Sequence, residues 1–347
     1  MKKKLGLFLL LTSICFVSTA CANTNNFVKD NKSTLLQEIK SNDYRYSYKD
    51  INGNLILKNL DSPLYFDDNE FSNISIKGKY GKVNVKGEKI LEPLYVQVEN
   101  FSEDLCAFFV EDEFNNLETK RGFINKKGDI VISPMKGDFG LESGDSYDYD
   151  FHNGLALHRS SEQHLFGFIN KQGNLAIDTT YEYALPFSEN LAGICSNYKC
   201  GFIDKTGKTV IPLQFNDIKS FSENLAAVYD GKKWGYINKQ GNYVIKPQFG
   251  ALDEHEGKQY VSSFENGIAI VYLGSGSYSE DGYVNPTAKQ KNHFALIDKT
   301  GKIIKTYNFI EPLDNQYKAF SDDKQYILDK SGNVIKELGK NEYYRGE

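Results

Sequence analysis

Eight copies of a four-residue turn pattern recur along this chain and constrain its fold more than any other feature. An Asn or Asp stands three residues before a Gly in each copy: Asp50 and Gly53, Asn84 and Gly87, Asn125 and Gly128, Asn170 and Gly173, Asp204 and Gly207, Asn238 and Gly241, Asp298 and Gly301, and Asp329 and Gly332. Asx favours the first position of a type I turn, and Gly accepts the left-handed conformation that closes it. Because Tyr, Ile and Val flank these turns, each copy predicts a β-hairpin.

A second motif, Phe-Ser-Glu-Asn-Leu-Ala, precedes the hairpins. Clear copies begin at Phe101, Phe187 and Phe221, and looser ones at Phe71, Phe151, Phe264 and Phe320. The Leu-Ala end predicts another strand, which a short polar loop joins to the hairpin. Successive turn glycines Gly173, Gly207 and Gly241 lie 34 residues apart. One repeat is therefore a three-stranded meander of about this length, followed by a connector that carries Pro and Phe.

The repeats predict an all-β array. The chain holds 23 Tyr and 23 Phe, and such residues suit pleated, half-buried strands. A single unit cannot bury one of its faces alone, so stacked units must supply the core. We expect seven or eight units over residues 45–347, either as a propeller-like ring or as an open solenoid. Insertions near 111–119, 136–150 and 273–291 are expected to be surface loops that carry specificity.

The clearest unit runs from Trp234-Gly235-Tyr236-Ile237-Asn238 to Pro247. Its pattern of Gly-aromatic-Ile-Asn-x-x-Gly-x-x-Ile-x-Pro resembles the WG (KWG) repeats of bacterial envelope proteins and lipoproteins. The resemblance covers roughly residues 45–336 and implies an all-β scaffold at the cell envelope. Other side chains fill the Trp position in most copies: Tyr80, Arg121, Phe166, Cys200 and Phe294. We therefore interpret that position as one of packing.

The N-terminus predicts export. Residues 1–22 have the basic start, the apolar stretch Leu5–Val17 and the small residues of a signal peptide. Ser18-Thr19-Ala20-Cys21 resembles a lipobox, which implies a lipid on Cys21, whereas Ala20-Cys21-Ala22 also suits ordinary signal peptidase. The chain is then a lipid-anchored protein of the outer membrane or cell surface, or a periplasmic or secreted protein. Residues 23–44 are interpreted as a polar tether, in which Thr34-Leu35-Leu36-Gln37 suits the start of a short helix.

Charge and motifs exclude several function classes. A net charge of −5 argues against binding nucleic acid. The spacing of His152, His158 and His164 matches no metal motif, and the acidic loop Asp145–Asp150 is interpreted as solvated. We expect no catalytic residue, no metal and no cofactor. The prediction is a non-catalytic binding or scaffold protein; an enzyme with an unrecognised carboxylate site is the competing class.

Cysteines and exposed aromatic residues remain as candidate sites. Cys195 and Cys200 flank a four-residue loop, which predicts facing positions and either a disulfide or two thiols. Cys106 fills the position of Ala226 and is expected to be a small buried side chain. An envelope protein or a glycan is the expected partner, with no membrane contact beyond the lipid. Glycan binding would use Tyr147, Tyr149, Tyr278 and Tyr283 in the insertions.

Overall fold

The computed structural model describes residues 36–40, 44–112, 119–137, 147–250, 261–274, 294–313, 316–321 and 324–340. Its regular elements are 29 β-strands, arranged in eight separate antiparallel sheets. The all-β fold class is therefore confirmed. No helix long and apolar enough to cross a bilayer occurs among these residues.

The first four sheets follow one another along the chain. Sheet 1 contains β1 (Leu36–Lys40), β2 (Tyr46–Asp50) and β3 (Leu55–Leu60); sheet 2 contains β4 (Phe71–Ile76), β5 (Lys79–Asn84) and β6 (Lys89–Tyr95); sheet 3 contains β7 (Gln97–Ser102), β8 (Leu105–Glu111), β9 (Thr119–Asn125) and β10 (Ile130–Lys136); sheet 4 contains β11 (Phe151–His152), β12 (Leu155–Arg159), β13 (Phe166–Asn170) and β14 (Leu175–Tyr181).

The last four sheets continue in the same way. Sheet 5 contains β15 (Tyr183–Ala184), β16 (Ala192–Ser196), β17 (Lys199–Ile203) and β18 (Thr209–Phe215); sheet 6 contains β19 (Asp217–Ile218), β20 (Ala226–Tyr229), β21 (Trp234–Ile237) and β22 (Tyr243–Phe249); sheet 7 contains β23 (Ile268–Tyr272), β24 (Phe294–Asp298) and β25 (Ile303–Tyr307); sheet 8 contains β26 (Phe309–Leu313), β27 (Gln316–Ser321), β28 (Lys324–Leu328) and β29 (Val334–Lys340). Every sheet is a meander, because strands adjacent in sequence are adjacent in space.

All eight Asx-x-x-Gly turns have one geometry. The Gly N–H donates to the Asx carbonyl at 2.9–3.0 Å, and each of these glycines has a φ between 80 and 88°. The Asx side chain accepts two further backbone N–H groups; Asp204, for example, accepts from Thr206 and Lys208. Asn and Asp both supply that oxygen, which explains why either is found at this position.

The glycine after the Trp position allows a bulge in the neighbouring strand. A Cβ built on Gly201 would lie 2.4 Å from the carbonyl oxygen of Ile211, where the pairing of β17 with β18 shifts register. Gly81, Gly122, Gly167 and Gly235 face the neighbouring strand in the same way. In sheet 7, where Ala295 replaces the glycine, the pairing continues through this position without a shift. The bulge accompanies the glycine in sheets 2 to 6, and in sheet 1 the same register shift occurs at Ser47.

The core lies between consecutive sheets. Six clusters of buried side chains each draw on sheets that are neighbours along the chain. In sheets 2 to 7 the turn glycine also lies against an Ile in the last strand of the sheet before it, as Gly207 does on Ile177 and Gly241 on Ile211. Repeated stacking therefore supplies the interior that a single unit lacks.

Three details differ from the sequence interpretation. Residues 36–40, assigned above to the tether, form β1 and pair with β2, so no helix starts there. The connector contributes a fourth strand to sheets 3, 4, 5, 6 and 8. Phe71 pairs with Asn84 and Phe320 with Gln325, positions that belong to the first strand of the meander and not to the start of the second motif. Phe alone is too common in this chain to fix that alignment.

Candidate functional site

The second motif forms the junction between sheets. In three junctions the Ser hydroxyl donates to the carbonyl of the motif Phe in the next unit, at 2.6 Å: Ser102 to Phe151, Ser188 to Phe221, and Ser222 to Phe264. The motif Phe packs on an aromatic ring of the preceding sheet, with centroids 4.8 Å apart for Phe202 and Phe221. The hydrogen bond and the ring contact together set how one sheet follows another.

The motif Glu adds charged contacts at the same junctions. Glu103 accepts from the N–H of Gly154 at 2.8 Å and pairs with Lys171 at 3.2 Å. Glu223 accepts from Gly267 at 3.1 Å and pairs with Lys299 at 2.7 Å. Each lysine directly follows the Asx of a turn, so the two sequence motifs meet in space. Sequence reasoning found both motifs but missed this pairing, whose signal was the Lys that follows Asx in six of the eight turns.

The motif Glu and Asn also form the tight turn into the next strand. Glu189 and Asn190 have φ values of 52 and 70°, and Glu223 and Asn224 have 52 and 68°. Two successive left-handed residues define a type I′ hairpin turn, which Asn suits. Since its Phe, Ser, Glu and Asn all serve the fold, the shared motif leaves no side chain dedicated to a ligand.

The Trp position is a packing position in sheets 3 to 7, whereas Tyr80, which fills it in sheet 2, is exposed. Trp234 is buried and stacks on Tyr229 with centroids 5.4 Å apart. Arg121 fills the position in sheet 3, where its guanidinium is buried and donates to the carbonyls of Tyr149 and Leu157 at 3.0 and 2.7 Å. The guanidinium also lies 5.0 Å from the Phe123 ring. Backbone carbonyls and aromatic faces therefore stabilise the buried cation.

The acidic segment is only partly solvated. Asp148 accepts from His152 at 2.8 Å, while burial, followed by the negative charges of Asp148 and Glu99, raises the pKa of Asp150 to about 7. Asp145 lies outside the described residues. The described residues, which include His152, His158 and His164, contain no group of three or more His, Cys, Asp or Glu placed to hold a metal.

The expectation that Tyr147 and Tyr149 form an exposed glycan platform was wrong. Tyr149 is buried, and Tyr147 packs against Phe166 with centroids 5.0 Å apart. These rings fill space beside sheet 4 because Arg121 and Phe166 present large surfaces there. Tyr278 and Tyr283 lie outside the described residues.

Cys195 and Cys200 face each other on β16 and β17. Their Cα atoms are 4.0 Å apart, and their sulfurs are bonded as a disulfide at 2.06 Å. Tyr198, at the tip of the same hairpin, is 90% exposed. Cys106 is a free, buried thiol whose pKa is raised by burial. Cys21 lies outside the described residues.

Lys82 is a buried cation that sequence reasoning missed. It occupies the position of Tyr236, and its ammonium lies 5.5 Å from the Phe101 centroid and has no hydrogen-bond partner among the described residues. Burial lowers the pKa of Lys82. The signal was a Lys between Gly81 and Val83, where the other hairpins have an aromatic or aliphatic residue.

Exposed apolar side chains lie at the start of the strand after the turn in seven of the eight sheets. These residues occur in all sheets except sheet 2: Leu55 and Ile56, Ile130 and Val131, Leu175, Val210, Tyr243 and Val244, Ile303 and Ile304, and Val334 and Ile335. Their exposed fractions range from 39 to 55%. We call this set the apolar row.

A cleft opens beside sheets 1 and 2. Its volume is about 460 Å³, and its apolar lining consists of Ile56, Leu57, Leu60 and Ile76. Arg45, Lys58, Asn59, Lys77 and Lys89 supply the polar lining. We call it the basic cleft.

Consecutive antiparallel sheets joined by a repeated junction define an all-β repeat-protein scaffold. The family model described as WG containing repeat matches residues 80–113, 122–135, 166–200, 201–234 and 234–258. The chain belongs to this WG repeat family.

Comparison with solved structures gives remote similarities. A eukaryotic initiation factor is 12% identical over 82% of this chain and 78% of its own, with a TM-score of 0.46. Hsv2 of Kluyveromyces lactis is 9% identical over 88% and 95%, with a TM-score of 0.37. AztD of Citrobacter koseri is 12% identical over 85% and 92%, with a TM-score of 0.27. No curated protein matches the chain.

Proposed function

We propose that this protein is a non-catalytic binding or scaffold protein of the bacterial cell envelope, and that its partner is another envelope protein. The apolar row carries the proposal. Single exposed apolar residues are ordinary on protein surfaces. Large apolar side chains at the same position in seven sheets, at the start of the strand after the turn, instead form a repeated surface. Since the motifs shared by the repeats are used in folding, the row is the repeated feature left for a partner.

The chemistry of the row favours a protein over a glycan. Its members are aliphatic apart from Tyr243. Sugars are bound by aromatic faces, whereas aliphatic side chains suit the apolar core of a protein interface. A glycan remains the second candidate because Tyr65 and Tyr198 are 71 and 90% exposed.

The test compares two sets of exposed apolar residues. Val210→Ser, Val244→Ser and Ile304→Ser together alter the row, and Leu94→Ser with Leu313→Ser alters exposed residues outside it. The purified wild-type protein is used to capture partners from envelope extracts. A captured protein is then identified, purified and titrated against the wild type and both variants. We expect the row variant to weaken its binding at least tenfold and the control to change it less than twofold. Equal loss in both variants contradicts the proposal, and binding only on a glycan array supports the second candidate.

The insertions are tested separately. Deletions of 138–146 and of 275–291 spare Tyr147 and Tyr149, which pack in the fold. Unchanged binding after both deletions would show that specificity does not lie in the insertions.

We also propose that a lipid on Cys21 holds the exported protein at the membrane. The lipobox-like Ser18-Thr19-Ala20-Cys21 supports this. Cells labelled with a radioactive fatty acid should yield labelled wild-type protein and unlabelled Cys21→Ala protein. An unlabelled wild type would instead favour a periplasmic or secreted protein.

A further inference from the structure

We propose that the basic cleft between sheets 1 and 2 binds a phosphate monoester with an apolar organic group. The first observation that supports this proposal is the excess of positive charge in the cleft. Four of its nine lining residues are cationic, although the chain has a net charge of −5. A local excess of cations in an acidic protein concentrates anions at that place.

Two of the four cations are already paired. Arg45 forms an ion pair with Asp61, and Lys89 lies 2.9 Å from Glu92. Asp61 itself is held by the hydroxyl of Ser75 at 2.8 Å and by the N–H of Gly78 at 2.9 Å. The pair therefore fixes the Arg45 guanidinium at the edge of the cleft.

Lys58 and Lys77 supply the charge that remains. Both are exposed, and neither forms an ion pair with any residue that the structure describes. Two free ammonium groups match a dianion. A phosphate monoester carries about −1.5 to −2 at pH 7, whereas a carboxylate or a sulfate ester carries one charge.

The volume and the apolar lining of the cleft indicate that the phosphate monoester carries an apolar organic group. About 460 Å³ falls within the usual range for small-molecule sites and far exceeds a bare phosphate. Leu57 and Leu60 are buried beneath the cleft, whereas Ile56 and Ile76 keep accessible surface from which an apolar group would displace water. Phosphate is thus expected at the lysines and the organic group on the aliphatic floor.

The backbone places the two lysines at fixed points. Lys77 has a φ of 54° and forms the two-residue turn with Gly78 between β4 and β5. Lys58 lies in β3, beside Asn59, which has a φ of 57°. Since the two lysines come from different sheets, the site needs the junction of sheets 1 and 2. The cleft shares Ile56 with the apolar row, but none of Val210, Val244 and Ile304, which test the row, lines it.

Phenyl phosphate is the probe, with phenyl sulfate as a singly charged analogue of similar shape. Titration calorimetry of the full chain at low salt should show saturable binding of phenyl phosphate, at least fivefold weaker binding of phenyl sulfate, and further weakening in added salt. Inorganic phosphate should bind more weakly than phenyl phosphate, because it lacks the apolar group.

Variants locate the site. Lys58→Gln with Lys77→Gln should weaken binding of phenyl phosphate at least tenfold. The control, Lys208→Gln with Lys302→Gln, removes the same charge from exposed positions in sheets 5 and 7. It should change the affinity for phenyl phosphate less than twofold. Thermal melting of each variant confirms that it folds. No saturable binding by the wild type, equal loss in both double variants, or no loss in the first overturns the proposal.

Discussion

At the scale of single residues, the glycine after the Trp position is explained by one contact. A side chain on Gly201 would meet the carbonyl of Ile211, and the bulge that brings this carbonyl close is absent beside Ala295. The Gly of the repeat pattern thus marks a position at which the backbone of the neighbouring strand comes close.

Gly201→Ala should destabilise the protein by roughly 1–3 kcal/mol, because the new Cβ must push the neighbouring strand away. Urea unfolding at pH 7 measures the change. The reverse change, Ala295→Gly, adds no clash and should cost about 1–2 kcal/mol, because it frees the backbone and removes a buried methyl group. If Gly201→Ala cost no more than Ala295→Gly, the contact would not explain the glycine.

Asp150 predicts a pH effect on stability. Its folded pKa of about 7 lies above the ordinary value of 3.8, chiefly because of burial and then because of Asp148 and Glu99. A raised carboxyl pKa means that stability falls as the pH rises from the unfolded value through the folded one. The ionisation of Asp150 should therefore lower the free energy of unfolding of the wild type as the pH rises from about 4 to about 7.

Asp150→Asn removes that loss. We expect the free energy of unfolding to rise by roughly 1–3 kcal/mol at pH 8 and to change little at pH 4. Urea unfolding at both pH values measures this. An equal change at both values would indicate altered packing and contradict the titration of Asp150.

At the scale of elements, the hairpins were predictable and their junctions were not. Asx and Gly at fixed spacing determine a turn locally, so residues such as Asp204 and Gly207 reveal it in the sequence. The contact of Glu223 with Lys299 joins residues of different units and cannot be inferred from local spacing. Lys82 was missed as a buried cation because a charged residue normally indicates exposure, whereas the burial of Arg121 agrees with the packing role inferred for its position.

The junction carboxylates predict a loss of stability in acid. Pairing with Lys299, opposed by burial and aided by the Gly267 N–H, lowers the pKa of Glu223 below its ordinary 4.5. The stabilisation that ionised Glu223 contributes is therefore present above about pH 4.5. It is lost as the pH falls through the lowered pKa of Glu223 in the folded protein.

Glu223→Gln should cost about 1–2 kcal/mol at pH 7 by weakening a charge-assisted contact. Glu162→Gln, at an exposed position, is the control and should change stability by less than about 0.5 kcal/mol. Urea unfolding at pH 7 and pH 3 compares them, and the difference should shrink at pH 3. A cost that stays the same at pH 3 would exclude the charged contact as its source.

At the scale of the whole molecule, the array is held by contacts between neighbours in sequence. Each of the six core clusters joins such neighbours, and none links sheet 8 to sheet 1 within the described residues. Stability in such an array is the sum of units and of the interfaces between them. Losing an end unit then affects mainly its one neighbour.

Truncation after residue 307, which removes sheet 8, tests this. It exposes Ile270 and Leu296 of sheet 7, so hydrogen exchange of the sheet 7 amides should accelerate at least tenfold. Amides of β17 in sheet 5 should keep their protection within about threefold, because two further sheets separate them from the new end. Comparable loss of protection in sheets 5 and 7 would mean that the ends of the array are coupled, as closure into a ring requires.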